Sequence, residues 1–183
     1  MRTFIAFRLP EQTLDNLKKM QDSLKQHAER GNFTPKENMH LTVRFLGEIS
    51  IDTAQKVMKM MESLSRFPAV EMSLQQVSTL RAADVVIAKL KSQPHLFDIE
   101  KLITEETYKL GISGERRMYT PHITLIRRYR FKLPFTEVVK SVTVYNKPFI
   151  ADEITLFETQ FNDGAPVSYN ELYSVKLNGQ QNN

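Results

Sequence analysis

The chain has 183 residues, a formal net charge of +4, 41% hydrophobic and 25% charged residues, and no cysteine. This composition predicts a globular domain and excludes a disordered or collagen-like chain, disulfides, thiolate nucleophiles and cysteine-based metal sites. Because no apolar run reaches the roughly 18 residues of a membrane-spanning helix and the N-terminus lacks a signal-peptide pattern, we expect a cytoplasmic protein.

The first half of the chain predicts alternating strands and helices. Pro10 ends the first strand, Gly31 is interpreted as the stop of the first helix, and Ser50 as the cap of the second. The predicted elements are a strand at 3–9, a helix at 11–29, a strand at 38–48, a helix from Ser50 to Leu64 and a strand at 69–77.

The second half predicts the same order, followed by a hairpin. Pro94 opens a predicted helix and Gly111 closes it. The predicted elements are a strand at 84–90, this helix, a strand at 119–128, a weaker helix at 134–142, and two strands at 149–161 and 169–177 joined by a turn around 162–166.

An internal repeat relates the two halves through one constant offset of 82 residues. The matching segments are Ile5–Ala6 with Ile87–Ala88, His40–Thr42 with His122–Thr124, and Glu71–Leu74 with Glu153–Leu156. The polar residues match as well as the apolar ones, which makes chance similarity between strands a weak explanation. We therefore predict an α+β fold, a single domain over 1–183 with two pseudo-symmetric lobes of about 1–82 and 83–178. Antiparallel sheets flank a central cleft, helices lie outside, and elements can swap between the lobes.

Two equivalent motifs carry the candidate chemistry, HLTV at 40–43 and HITL at 122–125. In a strand, residues two apart point to the same side, so each lobe presents one imidazole and one hydroxyl. His40, Thr42, His122 and Thr124 are therefore predicted to converge in the cleft.

Two imidazoles can divide the roles of general acid and general base near neutral pH, and hydroxyls can donate to phosphate oxygens. The set suits in-line displacement at a phosphodiester. A metal site with two histidine ligands is the alternative. No carboxylate stands beside either motif at ligand spacing and the hydroxyls would be unexplained, so we predict no metal.

The paired motifs resemble those of the two-histidine (2H) phosphoesterase superfamily, and within it the RNA 2′,3′-cyclic phosphodiesterases, also called 2′-5′ RNA ligases. The resemblance is carried by RTFIAFRLP at 2–10, HLTVRFLGE at 40–48, PHITLIR at 121–127 and ITLFETQFNDGAPVSYNEL at 154–172. It implies hydrolysis of terminal 2′,3′-cyclic phosphates on RNA to 2′-phosphates without a cofactor, with ligation as the reverse reaction. It also implies that His40 donates a proton and His122 accepts one. The chain departs from the family at Thr159, where serine is usual.

Three further residues are candidates for substrate binding. Arg127 is a phosphate-binding candidate, although strict alternation would bury it. Either the strand ends or bulges at Ile126, or Arg127 lies past the sheet edge and reaches the mouth of the cleft. Arg44 lies on the predicted face of His40, where a phosphate contact and an ordinary exposed arginine both remain open. Tyr119 could stack on a base or belong to the core.

The expected ligand is RNA with a 2′,3′-cyclic phosphate end or a small cyclic nucleotide, with no membrane and no obligate protein partner evident. Two alternatives stay open, a 2H phosphodiesterase for another small nucleotide and an RNA-binding module without turnover. Two intact histidine–threonine pairs favour an enzyme, since binding alone does not require two titratable groups.

Overall fold

Nine strands and four α-helices form the part of the chain that the structure, a computed structural model, describes, namely residues 1–80, 84–113, 118–162 and 166–179. The strands are β1 Arg2–Phe7, β2 Ala28–Phe33, β3 Leu41–Glu48, β4 Val70–Leu80, β5 Val85–Ser92, β6 His122–Phe131, β7 Phe149–Ala151, β8 Glu153–Gln160 and β9 Ser168–Lys176. The helices are α1 Glu11–Lys25, α2 Ile51–Met61, α3 His95–Lys109 and α4 Phe135–Val138, with short 3₁₀ turns at Lys36–Asn38, Glu62–Arg66 and Val139–Ser141.

The strands form two antiparallel half-sheets that meet at a narrow junction. The order is β7-β4-β5-β6-β3-β1-β8-β9, with β2 added beside β6. At the junction β3 and β6 pair only at Leu41 and Ile123. The predicted α+β class with antiparallel sheets is confirmed.

Two strands exchange between the halves of the sequence. Strand β4 precedes residue 82 but pairs with β5, and β8 follows it but pairs with β1. Counting outwards from the junction, β3, β1 and β8 therefore occupy the same positions as β6, β5 and β4. Strands that the 82-residue offset relates thus occupy equivalent positions in the two half-sheets, and the duplication itself stays a prediction.

The helices bury their apolar stripes in a core that includes one side of the sheet. Leu17, Met20 and Leu24 of α1, and Ile99 and Ile103 of α3, are fully or almost fully buried in the same cluster as the strand residues. The N-terminus of α2 is capped as predicted, because the Ser50 hydroxyl accepts a hydrogen bond from the Thr53 amide at 3.1 Å. No helix among the described residues has the length and apolarity needed to span a membrane.

The predicted first helix is too long. It ends at Lys25, and residues 28–33 form β2, so Gly31 lies in a strand and is not a helix stop. A Cβ atom at position 31 would lie 2.7 Å from Cγ2 of Ile126, too close for a real contact. Glycine is needed here because β2 passes tightly over the buried side chain of β6.

Candidate active site

The two motif histidines are held by the same backbone contact. In each, ring atom Nδ1 lies 2.7 Å from the carbonyl oxygen two residues earlier, Asn38 for His40 and Thr120 for His122. A carbonyl oxygen can only accept, so Nδ1 carries the proton in both rings. Nε2 is then the nitrogen available for proton transfer on both sides.

A β-bulge follows the threonine in both motifs. In β3, Thr42 and Arg44 pair with consecutive residues of β1, which leaves Val43 as the extra residue. In β6, Thr124 and Ile126 pair with consecutive residues of β5, which leaves Leu125 as the extra residue. Each bulge shifts the alternation by one position, so the residue five after the histidine faces the same side as the motif.

The bulges bring Phe45 and Arg127 into one cavity with both motifs. This first cavity has a volume of about 690 Å³ and is lined by His40, Thr42, His122 and Thr124 as well as by these two residues. Its described lining contains no carboxylate, and Arg127 supplies a permanent positive charge. The cavity is therefore suited to an anion, and its size falls within the range of small-molecule sites.

His40 is embedded in an aromatic cluster. Its ring stacks on Phe4 at 4.7 Å between centroids and meets the edge of Tyr169 at 5.2 Å. Burial lowers the pKa of His40 to about 4 against the opposing effect of the Asn38 carbonyl, and the charges of Arg127 and His122 lower it further. In the unliganded protein His40 is therefore neutral at physiological pH.

The prediction that Arg44 shares the face of His40 is wrong. Arg44 follows the bulge, is only 9% exposed, and donates from Nη1 to the Thr104 hydroxyl of α3 at 3.0 Å. Burial lowers its pKa, and the charge of Glu100 partly compensates. Phe45, the next residue, is 54% exposed and lines the first cavity.

Tyr119 lies just before β6 and contacts both β3 and α3. Its hydroxyl donates to the Thr42 carbonyl at 3.2 Å, and its ring meets Phe97 edge to face at 6.0 Å. Burial raises the pKa of Tyr119, and the charge of Glu100 raises it further. Tyr119 is not among the residues that line the first cavity, and its stacking on a base stays a prediction.

Comparison with known proteins shows which proteins the chain is similar to. The model of the LigT-like phosphoesterases matches residues 7–86. The RNA 2′,3′-cyclic phosphodiesterase of Methanocaldococcus jannaschii is 29% identical over 173 residues, which cover 91% of this chain and 96% of that protein. That of Thermotoga maritima is 23% identical and covers 98% of this chain and 97% of its own length. The crystal structure of Escherichia coli LigT with 3′-AMP superimposes with a TM-score of 0.81 at 22% identity, covering 96% of this chain and 97% of that one.

The predicted resemblance to the two-histidine phosphoesterases is confirmed. The chain is similar to the LigT-like phosphoesterases over residues 7–86 and to RNA 2′,3′-cyclic phosphodiesterases over most of its length, and it is an enzyme.

Two site features of this phosphoesterase escaped the sequence prediction. Asn38 supplies the carbonyl that orients His40, and its side chain donates to the Val167 carbonyl at 2.6 Å, tying the motif to the segment before β9. The repeat could have indicated this position, since the 82-residue offset carries Asn38 onto Thr120. No sequence signal announced Tyr169, because its contact with His40 depends on the pairing of β8 with β9.

The described residues include no cluster of three or more His, Asp or Glu side chains that could hold a metal ion. The first cavity brings together two imidazoles with the same tautomer, the hydroxyls of the two motif threonines and one guanidinium. This set can move two protons and hold the negative charge of a phosphate group.

Proposed function

We propose that this phosphoesterase hydrolyses the terminal 2′,3′-cyclic phosphate of RNA to a 2′-phosphate by metal-independent acid–base catalysis. The observation that carries the proposal is the pair of imidazoles in one cavity, each with Nδ1–H fixed on a backbone carbonyl. The curated relatives named RNA 2′,3′-cyclic phosphodiesterase support the substrate class. The cavity is large enough for a nucleotide, so the end of an RNA would enter it while the rest of the strand stays outside.

The reaction needs two proton transfers on opposite sides of phosphorus. Water attacks phosphorus opposite the 3′ oxygen and loses a proton to one imidazole, and the bond from phosphorus to that oxygen breaks as the other imidazole protonates it. The Thr42 and Thr124 hydroxyls donate to the non-bridging oxygens, and Arg127 balances their charge. The mechanism therefore requires the two histidines, one from each half-sheet, to lie on opposite sides of the phosphorus atom.

The family resemblance assigns the donor role to His40 and the acceptor role to His122. The donor must carry its proton on Nε2 before the transfer, whereas burial lowers the pKa of His40 to about 4 in the unliganded protein. An anionic phosphodiester beside the ring favours the charged imidazole and raises that pKa. When substrate binds, the His40 imidazole therefore takes up the proton that it later donates.

Two other functions make different predictions for the same cavity. A phosphodiesterase for another small nucleotide would process free mononucleotides and ignore RNA ends. An RNA-binding module would bind without turnover, although the shared Nδ1–H anchors favour catalysis because they leave both Nε2 atoms able to exchange protons. The cytoplasmic location stays a prediction from the sequence.

Turnover assays in EDTA test the proposal. The substrates are a short RNA with a 2′,3′-cyclic phosphate end and the four nucleoside 2′,3′-cyclic monophosphates, and the position of the product phosphate is determined by NMR. We expect the RNA to yield a 2′-phosphate at an undiminished rate. A rate that falls in EDTA and returns with a divalent ion would contradict the metal-independent mechanism, and turnover of mononucleotides alone would favour the second function.

A further inference from the structure

A glutamine interrupts the apolar stripe of α1. Gln21 is only 3% exposed, and it shares the buried side of the helix with Leu17, Met20 and Leu24. Burying an amide costs free energy unless hydrogen bonds replace its contacts with water, and an apolar side chain at this position would avoid that cost. The hydrogen bonds of Gln21 therefore indicate its role.

Both hydrogens of the Gln21 amide are donated to backbone carbonyls, one in β6 and one directly after β2. Nε2 lies 2.8 Å from the carbonyl oxygen of Leu125 and 2.8 Å from that of Thr34. The Thr34 amide donates to the same Leu125 carbonyl at 3.0 Å. A side-chain amide has two hydrogens, so Gln21 uses its full donor capacity to join the two strands.

Leu125 is the extra residue of the bulge in β6. A bulge interrupts the ladder, so the carbonyl of the extra residue takes its hydrogen bonds from outside the regular pairing. The same bulge turns Arg127 to the cavity side, whereas an unbroken strand would place it on the buried side. Gln21 therefore holds the backbone two residues before the guanidinium that lines the first cavity.

The backbone after Arg127 is bent as well. The Arg128 amide donates to the Asp84 carbonyl at 2.9 Å, and Arg128 has a φ of +52°, in the left-handed region that favours glycine. The direction of Arg127 thus depends on irregular backbone on both sides. Among the described residues, Gln21 is the one side chain that donates a hydrogen bond to the backbone of 125–128.

We propose that Gln21 is a positioning residue, which holds the bulge of β6 in the register that directs Arg127 towards the phosphate. Gln21 lines neither the first cavity nor the smaller cavity of about 270 Å³ beside it, so it acts through Arg127 and not on the substrate. This inference rests on the proposed function, which places the phosphate beside Arg127.

A double-variant cycle separates positioning from a general effect on folding. Gln21→Met keeps the length of the side chain and removes both hydrogen bonds, and Gln21→Asn withdraws the amide from the carbonyls by one methylene. Leu24→Ala is the matched control, because it weakens the same buried side of α1 without removing a hydrogen bond to the bulge. Binding of inorganic phosphate is measured by calorimetric titration for each variant, alone and combined with Arg127→Met, under conditions where denaturant unfolding shows that it is folded.

Gln21→Met and Gln21→Asn should each weaken phosphate binding by about 3- to 10-fold, the worth of one neutral hydrogen bond, because Arg127 is present but less well placed. In the Arg127→Met background, the same substitutions should change the affinity by less than about twofold, since the residue through which they act is gone. Leu24→Ala should change the affinity by less than about twofold in both backgrounds.

Unchanged phosphate binding in both Gln21 variants, losses that multiply with that of Arg127→Met, or an equal loss in Leu24→Ala would overturn the positioning role. The assay needs no turnover, so it still decides the point if the protein hydrolyses no cyclic phosphate.

If Arg127→Met binds phosphate as tightly as the wild type, the phosphate contact in the proposed function fails instead. A crystal structure of Gln21→Met then decides the positioning role. A bulge that has moved or straightened would support it, and an unchanged bulge with Arg127 still lining the first cavity would overturn it.

Discussion

The His40 half and the His122 half of the site share a backbone design but differ in their surroundings. Both histidines donate Nδ1–H to the carbonyl two residues earlier, and both motifs are followed by a bulge after the threonine. Only the His40 ring is packed in an aromatic cluster, and burial lowers its pKa. The repeated backbone therefore orients two equivalent imidazoles, and the different side chains packed around each imidazole can give the two histidines different roles.

The residues after the two bulges extend the same contrast. Phe45 and Arg127 stand at equivalent positions, five residues after each histidine, and both line the first cavity. One offers an apolar face and the other a charge. The two halves of the site therefore differ in charge and polarity at equivalent positions.

The largest expected effect comes from replacing the histidine in each half of the site. His40→Ala and His122→Ala should each lower kcat by about 10²–10⁴, the usual worth of one general acid or base. The kcat of the double variant should be only slightly lower than that of the less active single variant, because both groups act in the same transition state. Steady-state kinetics of the three variants measures this, and losses that multiply would show that the histidines act in separate steps.

A smaller effect should follow from removing the charge at Arg127. Arg127→Met should weaken the binding of inorganic phosphate by about 10- to 100-fold, since hydrogen bonds to charged groups are worth about 1.5–3 kcal/mol. Arg128→Met is the matched control, because it removes the same charge from the next residue, which does not line the cavity. Equal losses in calorimetric titration would mean that long-range charge and not contact holds the anion.

The smallest expected effect concerns stability in acid. Since the pKa of His40 is about 4 in the folded protein against an ordinary 6.5, the unfolded chain binds a proton more readily. This favours folding fully above pH 6.5, and the advantage is lost as the pH falls towards 4, by about 3 kcal/mol at most.

Denaturant unfolding at several pH values tests this, with His40→Gln compared to the wild type and His27→Gln as the control outside the cavity. The free energy of unfolding of His40→Gln should fall less steeply between pH 6.5 and 4. Parallel curves for all three proteins would show that the His40 ring titrates normally.

The parts of the fold that depend on local sequence patterns could be predicted from the sequence. The constant offset and the paired motifs were enough to predict the α+β class and to place His40, Thr42, His122 and Thr124 as candidates, and the structure places all four along one cavity. Hydrophobic periodicity located α1 and α3, and the Ser50 cap located the start of α2.

The failures come from features that depend on tertiary contacts. A β-bulge leaves no simple mark in the sequence, so strict alternation placed Arg44 on the face of His40, whereas the structure buries it against α3. Strand β2 was missed because AERGNF lacks apolar alternation and pairs at the edge of β6. For Arg127 a bulge at Ile126 was one of the alternatives given, beside a strand end and a position past the sheet edge, and a bulge occurs one residue earlier, at Leu125.

Leaving-group rescue tests the central claim, that two equivalent histidines divide the acid and base roles, most directly. A 2′,3′-cyclic phosphorothiolate with sulfur at the 3′ position needs no proton to release its leaving group. With this substrate, kcat of His40→Ala should recover at least about tenfold more than kcat of His122→Ala, because only His40 is assigned to protonate the leaving oxygen. Equal recovery of the two variants would contradict the division of roles, and full activity of either variant on the normal substrate would contradict the two-histidine mechanism itself.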